Sequence, residues 1–172
     1  MYNFDLHRDR PIQGQELNAL PLNPERDEVC YSLAKYLADG LNYDLYRRTS
    51  KQAVSNILDY DGLTVDVTQF PLLKVYRVSD AYKSDTNLSH DNMVITYSLV
   101  APEQTELPGI LRWFSVSVNF LLDYYHHTHQ TCCYNVTLGD RTAEYKIMYS
   151  EINNFAYPFF RIPFTVEEQI CV

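Results

Sequence analysis

Met93-Val-Ile-Thr-Tyr-Ser-Leu-Val100 is the stretch on which the fold turns. Met93, Ile95, Tyr97 and Leu99 share one face and Thr96 and Ser98 the other, the period of two that marks a strand with one buried side. Upstream, Phe70-Pro71 feeds Leu72 to Ser79, a second strand carrying Leu73, Val75, Tyr76 and Val78. The polar stretch between them, Asp80 to Asn92, is too long for a tight hairpin, so a protruding loop is expected there. Downstream, Pro102 to Glu106 connects to the strongest helix signal, Leu107 or Pro108 to about His126. Ile110, Phe114, Val118, Leu121 and Tyr125 form its apolar row, widened by Leu111 and Leu122. Pro108 suits a first turn, where a missing N–H costs nothing.

Outward from this centre, the last third reads as strands. Tyr134 to Leu138 and Ala143 to Tyr149 are expected to form a hairpin around Gly139 to Thr142. A final strand, about Tyr157 to Val166, sets Phe160, Ile162, Phe164 and Val166 on one face. Pro158 and Pro163 each remove a backbone donor, so this strand is expected at a sheet edge or broken. Toward the N-terminus, Asn23-Pro24-Glu25 reads as a helix start. Val29, Cys30, Leu33, Ala34 and Leu37 then recur at helical spacing, and Gly40 is expected to end or bend the helix. A second short helix is expected from Ser50, with Val54, Ile57 and Leu58 on one side and Asp61-Gly62 as its stop. Leu63 to Val67 is a short, weak strand. Residues 1–22 read as an extended arm whose Tyr2 and Phe4 are free to dock on a neighbour, and residues 23–172 as one domain. The element order α-β-β-α-β-β predicts an α+β fold with an antiparallel or mixed sheet of about four main strands flanked by helices.

Composition narrows the function classes. The 172 residues are 46% hydrophobic, which excludes wholesale disorder. No apolar run approaches the roughly 20 residues of a membrane helix, and the charged N-terminus is unlike a signal peptide. Lys and Arg total 14 against 22 Asp and Glu, a formal net charge of -8, which argues against gripping nucleic acid through its phosphates. An acidic surface suits a passage along which DNA slides without sticking. Cys30, Cys132, Cys133 and Cys171 make no disulfide framework, which favours a reducing compartment.

Chemistry-bearing motifs are sparse. Asp123, His126, His127, His129, Cys132 and Cys133 cluster in sequence, and His126, His129 and Cys132 would be the ligands of a small metal-dependent enzyme. The spacing completes no four-ligand set, and histidines at a helix C-terminus are also placed well against its dipole, so no metal and no cofactor is expected. GxSxG, GxxxxGK[ST], HExxH and GxGxxG are all missing, and no catalytic residue is assigned. Asp59, Asp61 and Asp66 read as solvated turn residues. The 15 tyrosines, rigid side chains with a polar tip, tilt the reading toward assembly.

Phe70-Pro-Leu-Leu-Lys-Val-Tyr76, the polar stretch after it, Val94-Ile-Thr-Tyr-Ser-Leu-Val-Ala-Pro102, and the helix with Leu111-Arg-Trp113 and Val118-Asn-Phe-Leu-Leu122 together resemble the tail terminator proteins of long-tailed phages, the minor tail protein U group. The likeness runs over about residues 24–166 and is densest from Phe70 to Leu122. It implies a structural virion protein at the tail neck, assembled in the host cytoplasm. Such proteins form a hexameric ring that ends tail-tube polymerisation and meets the head connector. The implied partners are other copies of the chain, the tail tube protein and the head–tail connector, with the tail sheath as a further candidate. DNA would pass through the lumen unbound, and no membrane is involved. The N-terminal arm and the insertion around Thr49 to Asp61 depart from the shorter members, which leaves a different neck component, a head-completion or connector subunit, as the alternative. Tyr82, Lys83, Asp85, His90 and Asp91 in the expected loop, with Tyr2 and Phe4 in the arm, are the candidate interface residues. That loop is expected to be disordered in a free subunit and ordered in the neck.

Overall fold

Strand β3 (Leu88–Ser98) lies inside the sheet, paired on both sides along its length. In the computed structural model, which describes residues 24–62, 66–100, 106–128, 134–152 and 154–170, β3 pairs antiparallel with β2 (Leu72–Lys83) and with β6 (Phe155–Ile170). A short β1 (Asn56–Leu58) adds parallel to the start of β2. On the far side, β4 (Tyr134–Arg141) and β5 (Glu144–Ser150) both pair antiparallel with β6. Two helices, α1 (Glu28–Thr49) and α2 (Leu107–Thr128), pack on one face of this six-stranded mixed sheet. The fold is α+β, as the patterning predicts, with more strands than expected.

The main core lies between the helices and the sheet. Leu33, Leu37, Leu41, Phe114, Val118 and Leu122 meet Leu73, Val75, Met93, Ile95, Tyr97, Phe160, Ile162 and Phe164. Tyr97 stacks on Phe114 with ring centroids 4.5 Å apart, and Phe160 tilts against Phe114 at 4.8 Å. A second cluster of Phe70, Leu72 and Tyr157, joined by Leu58, Val67, Phe155 and Phe159, covers part of the opposite face. Val94, Thr96 and Ser98 are therefore buried along with their alternates, and β3 has no solvent face from Met93 to Ser98, while His90 and Asn92 in its first half stay exposed.

Several expectations are corrected. Helix α1 is capped by Asp27, whose side chain accepts from Cys30 N–H, and not by Asn23. It runs straight through Gly40, because Leu37, Ala38 and Leu41 bury around that position. It ends at Ser50, which adopts a left-handed φ of 60° and donates its N–H to Tyr46 O. The second short helix does not form. Asn42 clamps Val54 by both backbone groups, at 3.0 and 2.7 Å, Tyr97 Oη donates to Ala53 O, and Ser55 N–H goes to Pro71 O at 2.8 Å. Backbone groups spent on distant partners are not available for i to i−4 bonds, and Asn56–Leu58 becomes strand instead. Val67 lies in a single 3₁₀ turn, Val67–Gln69, and the remainder of the expected strand at 63–67 lies mostly outside the described residues.

The expected loop from Asp80 to Asn92 is a hairpin. Pairing continues to Lys83↔Leu88, so only residues 84–87 turn, with Asn87 at a positive φ of 55° and accepting from Tyr82 Oη. The expected hairpin of Tyr134 to Tyr149 is likewise redrawn: β4 and β5 lie end to end along β6, and β5 forms the hairpin with β6. Finally, β6 is central and unbroken. Its prolines sit where the ladder has nothing to lose. Within a strand, the N and O of one residue point to the same side. Pro163 O accepts from Thr142 N–H at the junction between β4 and β5, and Pro158 O accepts from Leu99 N–H just past the end of β3. The N–H each lacks would have pointed at a gap.

Candidate functional site

Three surfaces place chemistry-bearing or apolar side chains where a partner can reach them. The first is the tip of the β2–β3 hairpin, which brings together Tyr82, Lys83, Asp85 and His90, all exposed. His90 Nδ1 lies 3.7 Å from a Glu167 carboxylate oxygen on the neighbouring strand. Asp91 does not belong with them. Its side chain is buried on the helix side of the sheet, 2.7 Å from Arg77 Nη1, and accepts from Ser89 Oγ. Alternation along β3 is the cause, since His90 and Asp91 point to opposite faces. Tyr2 and Phe4 lie outside the described residues.

Arg77 is the hub of that buried network. It bonds Asp27 at 2.9 Å and Glu168 at 2.9 Å in addition to Asp91, tying the cap of α1 to three strands. Burial pushes the Asp27 carboxyl up, but the Arg77 hydrogen bond and charge, with the Cys30 N–H, more than offset it and hold it below its ordinary value. Burial and the nearby Asp27 charge push the Cys30 thiol well above its usual range, so it stays protonated. This arrangement is structural: its charges face each other.

The second surface is β5. Tyr145, Ile147, Met148 and Tyr149 are all exposed, with Ile147 at 66% and Ile152 in the following turn at 70%. Among the described residues β5 pairs only with β6, which leaves its other backbone edge open. The alternation of Tyr145, Ile147 and Tyr149 marks a strand but wrongly suggests a core face. The sequence signal for exposure is the uncharged triplet Ile147-Met148-Tyr149, apolar on both sides of a strand. Helix α2 adds Val116, Phe120 and Tyr124, exposed at a spacing of four.

The third is a polar row across the helix-free face of the sheet, Lys74, Thr96 and Arg161, in consecutive register on β2, β3 and β6, of which Arg161 is partly exposed and Lys74 and Thr96 are buried. At the far end of α1, Asn42, Tyr43, Tyr46, Arg47, Ser50 and Gln52 line an open depression of about 690 Å³.

The side chains of the expected His–Cys cluster, His126, His127, His129, Cys132 and Cys133, lie outside those described. Among the described residues no three His, Cys, Asp or Glu side chains are grouped to hold a metal ion. Asp123 instead pairs with Arg141. No described helix is long and apolar enough to cross a membrane. No protein-family model matches the chain, and no curated protein matches it either.

Proposed function

We propose that the chain is a self-associating structural subunit of a phage tail neck, a ring-forming tail terminator that ends tube growth and meets the head connector. The observation that carries the self-association is β5, an edge strand with apolar side chains on both faces and, among the described residues, an open backbone. Such an edge is a template for pairing with another chain, and proteins that stay alone blunt theirs with charge, proline or a covering segment. Here Glu144 and Lys146 are the charges within the strand, at its start only. A ring requires two different patches that fit each other between neighbouring copies. The tip of the β2–β3 hairpin, at the end of β6 opposite to β5, supplies a second patch with Tyr82, Lys83, Asp85 and His90. The neck assignment itself rests on the resemblance described above and on an acidic chain suited to a DNA passage.

The test is the mass of the purified protein, alone and with tail tube subunits. A hexamer is expected, with tube growth halted on its addition. Ile147→Lys should leave the circular dichroism unchanged, because the side chain is exposed, and shift the mass to the single chain. A wild-type protein that stays a single chain at every concentration and leaves tube growth unaltered overturns the proposal. Binding to the portal side without capping tubes assigns the alternative, a connector subunit.

A further inference from the structure

On the sheet face away from the helices, one buried polar group has no partner, and a largely buried cation beside it has only a long ion pair. Thr96 is 3% exposed, and its hydroxyl has no hydrogen-bond partner among the described residues. Its cross-strand neighbour Lys74 has a side chain only 8% exposed, and its ammonium comes no closer than 3.6 Å to Asp61 Oδ1, outside hydrogen-bond range. A buried orphan hydroxyl is costly, and a largely buried ammonium held by a single long ion pair is weakly compensated. The neighbour of Thr96 on the other side is Arg161, which reaches Glu144 at 3.2 Å. Directly opposed residues in a sheet have Cβ atoms about 5 Å apart. Two long cationic side chains therefore stand either side of a short hydroxyl that has no hydrogen-bond partner of its own. The carboxylates now facing the cations, Asp61 and Glu144, are 63% and 43% exposed, so water can take them back at little cost.

We propose that Lys74, Thr96 and Arg161 form a binding site for one small divalent oxyanion, inorganic phosphate or sulfate. The ligand accepts hydrogen bonds from the ammonium, the hydroxyl and the guanidinium, and it displaces Asp61 from Lys74. Charge-assisted bonds to an oxyanion are the strong kind, and a guanidinium matches its geometry. The chain as a whole carries -8, which repels anions, so an anion that binds one-to-one is held locally. The site is independent of the self-association proposed above.

Calorimetric titration with sodium phosphate and with sodium sulfate, at ionic strength fixed with sodium chloride, tests this. Saturable one-to-one binding is expected, with a rise in unfolding temperature that chloride does not give. Thr96→Val and Arg161→Gln, each folded by circular dichroism, should weaken binding at least tenfold. The Thr96 ¹³Cβ resonance of the wild-type protein should shift on titration, a readout that needs no variant. Stabilisation by phosphate no greater than by chloride, unchanged binding in both variants, or an unmoved Thr96 resonance overturns the proposal and leaves an enclosed water as the partner of the hydroxyl.

Discussion

Arg77 puts a positive charge into an apolar strand, and three acidic side chains from three other places in the fold answer it. Asp27, Asp91 and Glu168 lie 50, 14 and 91 positions away in sequence. No local pattern announces such partners; the legible clue is only that Leu72-Leu-Lys-Val-Tyr-Arg-Val78 carries two charges where a buried strand carries none. Lys74 and Arg77 fall on opposite faces and meet different fates, one under-satisfied and the other saturated. Removing one member of a buried ionic network strands the rest, at about 3–5 kcal/mol. Arg77→Met should therefore lower the urea midpoint strongly at pH 7. The pH dependence has a definite sign. The Asp27 carboxyl is depressed in the folded protein, so its contribution is present above about pH 4, the ordinary carboxylate range, and fades as the pH falls below it. The gap between wild type and Arg77→Met should accordingly be widest at neutral pH and shrink below pH 4. A gap that stays constant from pH 7 to pH 3 would show that Arg77 acts by packing alone.

At the scale of elements, what was legible was burial. The strands and helices with an apolar face, β2, β3, α1 and α2, are where the periodicity puts them, because the side chains that pack are also the ones that pattern. What was illegible lies beyond the core. Asp80 to Lys83 is a strand whose residues are exposed on both faces, so it carries no alternation and reads as loop. The residues after Ser50 have helical spacing, but Asn42 and Tyr97 capture their backbone from afar. Pro158 and Pro163 argue against a central strand in general, yet each faces a gap in this particular ladder. Gly40 is similar: its meaning is tertiary. A Cβ there would come within 2.7 Å of Leu121 Cδ2, so the missing side chain is what lets α1 approach α2. Beside it Tyr36 Oη donates to Leu121 O at 2.8 Å, and Trp113 Nε1 to Asp44 Oδ2 at 2.7 Å. The Trp113, Arg48 and Arg47 bonds hold the Asp44 carboxyl down to about 2, so this contact persists through mild acid. Gly40→Val should force the helices apart and cost about 1–3 kcal/mol, the usual penalty of overpacking. Chemical denaturation measures it, and an unchanged midpoint would mean that Leu121 swings aside freely.

For the whole molecule, the open question is what joins copies, and charge decides between two kinds of contact. Each chain carries a formal -8, so copies repel at long range. The Debye length falls from about 30 Å at 0.01 M salt to about 8 Å at 0.15 M, so added salt removes most of that repulsion. A contact made by Tyr145, Ile147, Met148 and Tyr149 and by backbone bonds along β5 is not itself weakened by screening. Assembly through β5 should thus increase with sodium chloride, and the assembled fraction, followed by mass measurement at fixed protein concentration, should rise steadily from 0.01 to 0.5 M. A contact dominated by the hairpin charges of Lys83, Asp85 and His90 would do the opposite, because screening weakens exposed pairs. A falling assembled fraction would move the principal contact from the sheet edge to the hairpin. Ile147→Lys separates the same two cases from the other direction: it adds a charge to the apolar edge while lowering the net repulsion, so a loss of assembly in that variant can come only from the edge itself.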